Sequence, residues 1–192
     1  MGGVICTEPY ATGIAAYEAE FKLQPKSLYM VAHDFDGWKN FTMGYISEKQ
    51  YLKFCNDRAK IAGITFHEAR FLSLIESIPS TAVITAIKEF SKSYIVGVVS
   101  DHPREWFDRF WKKTGLDDVV TIRAVSGYLH VRKPDVKIFL HAIKAAGVNP
   151  RETVYIDDRA DMIAGIMKQL PLQGIVFDGD ESHLRRQIEY LR

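Results

Sequence analysis

Tyr94-Ile95-Val96-Gly97-Val98-Val99 is an unbroken apolar, β-branched run that stops at Ser100-Asp101-His102-Pro103. Such a run, closed by a polar cluster, reads as a strand buried on both faces. Toward the C-terminus the pattern repeats. A helical stretch over 104–113 closes at Gly115, and Val119-Val120-Thr121-Ile122 reads as a second strand. A helix over 134–146 follows, with Pro134 in its first turn and Gly147 as its C-cap. Thr153-Val154-Tyr155-Ile156 reads as a third strand, 160–169 as a helix and Gly174-Ile175-Val176-Phe177 as a fourth strand. Strands alternating with helices imply right-handed crossovers, hence an α/β fold with a doubly wound, parallel, Rossmann-like sheet. Sheets of this kind bind ligands at the carboxyl ends of their strands.

Toward the N-terminus the period changes to that of helices. Ile14, Tyr17 and Phe21 mark one apolar face. Ser47 with Gln50 is a capping-box start ahead of Tyr51, Leu52 and Phe54, and Thr65 with Glu68 repeats the signal ahead of Phe71, Leu72, Leu74 and Ile75. A further helix is expected over 80–90, after the break at Pro79. An all-helical unit thus precedes the alternating half: 8–80 as a helical cap, and 1–7 with 81–192 as the α/β core. Trp38, Phe41 and Tyr45 read as core of the helical unit rather than as a ligand wall.

Composition narrows the function. The 192 residues carry 25 Lys+Arg against 24 Asp+Glu, a net charge of +1, which speaks against an electrostatic grip on nucleic acid. No apolar stretch reaches the roughly 20 residues that span a bilayer, and the first residues form no secretory signal. Cys6 and Cys55 make neither a disulfide framework nor a C-x-x-C metal pair, so the expected location is a reducing cytoplasm. No oligomerisation motif is legible.

The strand ends carry the chemistry. Ser100, at the tip of the first strand, is placed either to hydrogen-bond a phosphate oxygen or to cap the next helix. Lys133, in Arg132-Lys133-Pro134-Asp135, can bring an ammonium to the same edge. Asp157-Asp158 sets two carboxylates side by side after the third strand. They repel each other unless a cation holds them, and Mg²⁺ is the natural one; a helix N-cap with first-turn charge is the alternative.

A Ser, a Lys before Pro-Asp and an acidic pair, each after a strand and in this order, resemble the second, third and fourth motifs of the haloacid dehalogenase superfamily. RKPDVKIF, ending at Phe139, and TVYIDDRADMI, from Thr153 to Ile163, are similar to the subfamily with a helical cap inserted after the first strand. The segment GWKNFTMGYISEKQYLKF resembles that cap, so the likeness covers essentially the whole chain.

The resemblance implies a Mg²⁺-dependent phosphatase of a small phosphorylated metabolite, acting through an aspartyl-phosphate. Ser100, Lys133 and Asp157 would be catalytic, Asp157 and Asp158 would hold Mg²⁺, and Gly2, Gly3, Ser100, Asp101 and Lys133 would surround the substrate. Two alternatives stay open: a metal-independent 2-haloacid dehalogenase-like hydrolase, and a catalytically inactive binding or regulatory protein. In this family the first motif is a strand ending in an Asp nucleophile, often followed by an apolar residue and Gly-Gly-Val. Met1-Gly2-Gly3-Val4 is similar to that motif cut just after the nucleophile, so the Asp is expected to be missing from this chain. The absent strand would lie between those at 94–99 and 153–156 and leave both with unpaired edges.

The chain also departs from the family pattern. Gly2 stands where phosphatases carry a second Asp, Asp101 where Asn often follows the Ser, and Met162 where Asn often follows the acidic pair. A rival first motif, with Asp34 as nucleophile and Asp36 as acid, lies in Ala32-His33-Asp34-Phe35-Asp36-Gly37. The residues before it read as helix, which argues against it.

Overall fold

The structure, a computed structural model, describes residues 1–33, 35–77 and 81–191. Asp34, Pro79 and Ser80, which figure in the expectations above, lie outside them.

The first third is all helix: α1 (Pro9–Glu20), α2 (Ser27–Ala32), α3 (Phe35–Thr42), α4 (Glu48–Ile61) and α5 (Glu68–Glu76). These helices enclose an aromatic core in which Tyr17, Phe41, Tyr51 and Phe71 are completely buried. The Tyr10 and Tyr51 hydroxyls share a hydrogen bond of 2.7 Å, and the Tyr51 hydroxyl donates to the Ala32 carbonyl at 2.8 Å, so both of these buried hydroxyls are satisfied. At Ser47 both arms of the capping box form. Thr65 does not start α5. Its carbonyl accepts from the Tyr17 hydroxyl, and His67 becomes the N-cap without a side-chain bond. Phe41 is core as expected. Trp38 is half-buried and stacks on Tyr10, but Tyr45 is exposed and stacks on His130 in the other half of the chain.

One buried group has no counterpart in the sequence reading. The α2 N-cap, Lys26, makes no side-chain capping bond. Glu18, on α1, supplies the acceptors instead, taking the backbone N–H of Lys26 at 2.8 Å, Leu28 at 2.8 Å and Tyr29 at 3.0 Å. A carboxylate at a helix N-terminus also meets the positive end of its dipole.

After α6 (Val83–Phe90) the chain alternates: β1 (Gly97–Ser100), α7 (Arg104–Thr114), β2 (Ile122–Val125), α8 (Ser126–Leu129), α9 (Val136–Ala146), a 3₁₀ turn over Pro150–Glu152, β3 (Val154–Asp157), α10 (Ala160–Met167), β4 (Gln173–Val176) and α11 (Glu181–Tyr190). The fold is α/β, with parallel strands as expected. Among the described residues its sheet is divided: β1 pairs only with β2 and β3 only with β4.

Several element boundaries differ from the sequence expectation, three of them with a clear cause. Residues 94–96 do not join β1, and Tyr94 and Ile95 are exposed, because pairing begins only at Gly97 opposite Ile122. The second strand starts at Ile122 rather than 119, since Val119 and Val120 close a turn onto the Leu116 carbonyl after α7 ends in the left-handed Gly115. Pro134 lies outside α9, which starts at Val136 with the Asp135 side chain accepting from the Lys137 N–H.

The two halves are pinned together by polar contacts. Glu48 accepts from the Trp106 indole at 2.6 Å and pairs with Arg109, which also meets Glu76 at 2.6 Å. The Ser126 hydroxyl donates to the Thr42 carbonyl at 2.6 Å and accepts from the His102 N–H at 2.9 Å.

Candidate active site

The carboxyl ends of β1 and β3 meet at Lys133. Its backbone N–H donates to Asp101 Oδ1 at 2.9 Å, and its ammonium donates to Asp157 Oδ2 at 2.8 Å and to the Tyr155 hydroxyl at 3.2 Å. Lys133 is thereby held at both ends, with its side chain only 11% exposed. Tyr155 in turn donates to Asp157 Oδ2, and the Arg159 N–H donates to Asp157 Oδ1 at 3.0 Å. Burial alone would raise the Asp157 carboxyl, but the Lys133 ammonium and these donors hold it below the ordinary carboxylate value. The Tyr155 hydroxyl is pushed far up by burial and by its bond to that carboxylate.

Ser100, at the tip of β1, is buried, and its hydroxyl meets no partner among the described residues. It does not cap α7, whose N-cap is Pro103. Its neighbour Asp101 is the acceptor that fixes Lys133, with Arg132 at 3.7 Å from the same carboxylate. Asp158 is exposed and likewise accepts no hydrogen bond from a described residue, so the adjacent carboxylates are not equivalent.

The first six residues fold into a turn over this edge, with the Met1 carbonyl accepting from the N–H groups of Val4 and Ile5. The Thr81 hydroxyl anchors the turn at the Val4 carbonyl, 2.7 Å away. Gly3, at φ +81°, lies so close to Asp158 that a Cβ would overlap the carboxylate, which explains a glycine there on two counts. Gly2 forms an isolated bridge with Cys6. The Met1 amine is buried, and desolvation together with the Lys133 ammonium pushes it down to about 6.

The structure thus brings Gly3, Ser100, Asp101, Lys133, Asp157 and Asp158 to one edge. It does not bring Asp36 there: that residue is exposed in the first turn of α3. The preceding residues form α2, as the sequence predicts, and Asp34 lies outside the described residues. The sequence reading missed Tyr155. Its signal was the period of a strand, since a residue two before Asp157 must share its face.

The donors can be tested against Mg²⁺ directly. No group of three or more His, Cys, Asp or Glu side chains forms a metal cage among the described residues. Mg²⁺ does not require one, because it commonly binds one or two carboxylates together with waters and substrate phosphates. Asp158 offers a free carboxylate beside Asp157, and the set fits the ion on those terms.

Comparison with known proteins gives the family of the chain and neighbours of its fold. The haloacid dehalogenase-like hydrolase family matches residues 38–172. A glyceraldehyde 3-phosphate phosphatase from Pyrococcus furiosus is 29% identical over 97 residues, which are 50% of this chain and 39% of that relative. The chain therefore matches well under half the length of this relative. An HAD family enzyme from Bacteroides thetaiotaomicron, solved as an Asp-to-Ala mutant with magnesium and inorganic phosphate, superposes with a TM-score of 0.72 at 18% identity, over 96% of this chain and 95% of that one. The L-2-haloacid dehalogenase of Xanthobacter autotrophicus gives a TM-score of 0.63 at 13% identity, over 90% and 73%. A family match across most of the chain, on a fold shared along nearly its whole length, means that the chain belongs to the haloacid dehalogenase-like hydrolases.

Proposed function

We propose that this edge is the phosphate-handling centre of a Mg²⁺-dependent phosphatase for a small phosphorylated metabolite. The observation that carries the reading is the convergence on one strand edge of an unpartnered hydroxyl at the otherwise buried Ser100, a clamped ammonium at Lys133 and a free carboxylate at Asp158. The phosphatase relative and the magnesium and phosphate complex of the Bacteroides enzyme support it.

In the reaction an Asp carboxylate attacks phosphorus, the bond to the leaving oxygen breaks, and water hydrolyses the acyl phosphate. Among the described residues of this edge, Asp101, Asp157 and Asp158 are given other roles. Ser100 and the backbone N–H groups after β1 hold the phosphoryl oxygens, Gly3 keeps the backbone close to the substrate, and Lys133 neutralises the developing charge. Asp157 positions Lys133, and both acidic residues serve the cation, with Asp158 as the open ligand. Mg²⁺, when bound there, supplies charge neutralisation and orientation of the phosphate. Helices α1–α5, the helical cap of residues 8–80, exclude water over the edge of the core (1–7 and 81–192) and choose the leaving group.

Calorimetry and a turnover assay test this together. The chain is expected to bind Mg²⁺, with Asp158→Asn weakening the affinity at least tenfold, and phosphate release from sugar or aryl phosphates is expected to require Mg²⁺. Unchanged Mg²⁺ affinity in both Asp157→Asn and Asp158→Asn would overturn the metal assignment. Mg²⁺-dependent turnover lost in Asp34→Asn would move the nucleophile to Asp34. Halide release from a 2-haloacid, insensitive to EDTA, would replace phosphatase by dehalogenase.

A further inference from the structure

The end of α3, in the helical unit, is finished by side chains of the other half of the chain. The last turn of a helix leaves carbonyls that the helix itself cannot satisfy. Those of Lys39, Asn40 and Phe41 accept from the N–H groups of Met43, Tyr45 and Gly44. The carbonyl of the buried Thr42 remains, and the Ser126 hydroxyl donates to it at 2.6 Å. Just beyond, the His130 ring donates from Nδ1 to the Met43 carbonyl at 2.6 Å, and Arg104 donates to the Gly44 carbonyl at 3.4 Å. The two backbones are in direct contact here: a Cβ added to Gly44 would lie 2.1 Å from the Gly127 carbonyl oxygen.

The same hydroxyl faces the strand edge with its lone pairs. Ser126 is completely buried at the start of α8, and its oxygen accepts the His102 N–H at 2.9 Å, while the Gly127 N–H donates to the His102 carbonyl at 3.2 Å. Two residues earlier, Ser100 lies opposite Val125 in the ladder of β1 and β2. Residues 125–127 therefore hold the loop Ser100-Asp101-His102 at both of its ends. Between those ends Asp101 fixes the backbone N–H of Lys133. We infer that Ser126 is a positioning residue of the strand edge: its one hydroxyl sets the register of the loop that carries Ser100 and Asp101, and ties that loop to the end of α3. A hydroxyl has a single proton to donate, so its bond to Thr42 aims its lone pairs at His102. Without it, two buried backbone groups lose their partner together, one on each side. The His102 peptide is then free to turn, and Asp101 and Ser100 turn with it. The consequence, weaker phosphate binding, rests on the phosphatase reading; the link between loop and α3 rests on geometry alone.

The test combines amide exchange of the intact chain with titration of inorganic phosphate at saturating Mg²⁺. In Ser126→Ala the amides of His102 and of residues 43–45 are expected to exchange at least tenfold faster, both sets together. Tyr45→Ala removes the stack on His130 without touching the loop, and is expected to speed 43–45 alone. Phosphate affinity is expected to fall at least tenfold in Ser126→Ala. Mg²⁺ affinity measured without phosphate is expected to stay unchanged, because the hydroxyl bonds of Ser126 are to Thr42 and His102. A residue that only steadied the fold would lower both affinities in parallel. Ser126→Thr keeps the hydroxyl and is expected to hold phosphate affinity within threefold of the parent. Should Ser126→Ala not fold, Ser126→Cys, a weaker donor, is read in the same way. Phosphate affinity within twofold of the parent in Ser126→Ala, a parallel loss of Mg²⁺ affinity, or faster exchange on one side only would overturn the inference. So would a loss in Ser126→Thr as large as in Ser126→Ala. If the parent binds no phosphate, the phosphatase reading falls and the exchange pattern alone decides the role of Ser126.

Discussion

Replacing Lys133 by Met isolates the charge balance that holds the site together. The substitution keeps an unbranched apolar stem of similar length and removes only the ammonium from Asp157, whose side chain is 6% exposed. Breaking a buried pair by deleting one partner costs about 3–5 kcal/mol, because the remaining charge is left uncompensated. Asp157 still accepts from Tyr155 and from the Arg159 N–H, which puts the loss at the lower end, about 3 kcal/mol. In a chain of this length that lowers the melting temperature by roughly 6–12 °C. The pH dependence is the more searching readout. In the parent, the folded carboxyl of Asp157 lies below its ordinary 3.8, so its contribution is present above 3.8 and is lost as pH falls through the folded value. In Lys133→Met burial dominates and the folded carboxyl rises above 3.8. The penalty is then full at neutral pH and is relieved as acid protonates the group. Urea unfolding at pH 7 and pH 4.5 is therefore expected to show a smaller gap between variant and parent at the lower pH. Combining Lys133→Met with Asp157→Asn is expected to recover at least half of the loss. A variant within 1 kcal/mol of the parent at pH 7, or a gap that widens on acidification, would refute the account of Asp157 as a charge held by Lys133.

Two further outcomes follow from Glu18 and His102. Glu18→Ala leaves three backbone donors of α2 without their acceptor and is expected to cost about 3 kcal/mol in urea unfolding, with Glu18→Gln costing about 1. A cost below 1 kcal/mol for the alanine variant would show that water replaces the carboxylate. Burial lowers the His102 imidazole from 6.5 to about 3, so the unfolded chain takes up a proton that the folded one refuses. Stability is then lost as pH falls from 6.5 toward 3, by at most about 1.4 kcal/mol per pH unit, and His102→Gln is expected to flatten that limb of the acid unfolding curve.

Several local signals survived into the structure, although the box expected at Thr65 and Glu68 did not form. The box at Ser47 and Gln50, the stop at Gly115 and the stop at Gly147 each depend on a few consecutive residues, and each formed where the sequence put it. Strand limits depend on a partner. The apolar run from Tyr94 loses its first three residues because Ile122 is the first residue opposite, and no pattern within the run records that. The cap of α2 escaped notice because its acceptor, Glu18, lies 8 to 11 residues before the donors. At the strand edge, residue types were legible and allegiances were not. Lys133, Asp157 and Asp158 could be picked out, but only coordinates show that Lys133 belongs to Asp157 and leaves Asp158 open. The hydrolase family, read from these motifs, is the one the comparisons return.

That division of labour sets how the site must treat an anion. Around the strand edge Lys133 is cancelled by Asp157, and Arg132 faces Asp101. The side-chain sum over Asp101, Arg132, Lys133, Asp157 and Asp158 is therefore two positive against three negative, a net charge of −1. A phosphate brought to Ser100 meets a hydroxyl and backbone N–H groups, but it also meets the uncompensated Asp158. Hydrogen bonds to charged groups contribute about 1.5–3 kcal/mol each, and an unscreened like charge nearby can offset one of them. Only a cation at Asp158 turns that repulsion into attraction, so the proposed site needs Mg²⁺ and phosphate together rather than either alone. By linkage, each must tighten the other by the same factor. Asp158→Asn removes the repulsion and the cation's ligand at once. Phosphate affinity in that variant becomes indifferent to Mg²⁺, whereas in the parent it depends on it. Calorimetric phosphate titrations with and without Mg²⁺ distinguish the two cases, and equal Mg²⁺ dependence in parent and variant would mean that the cation is held elsewhere.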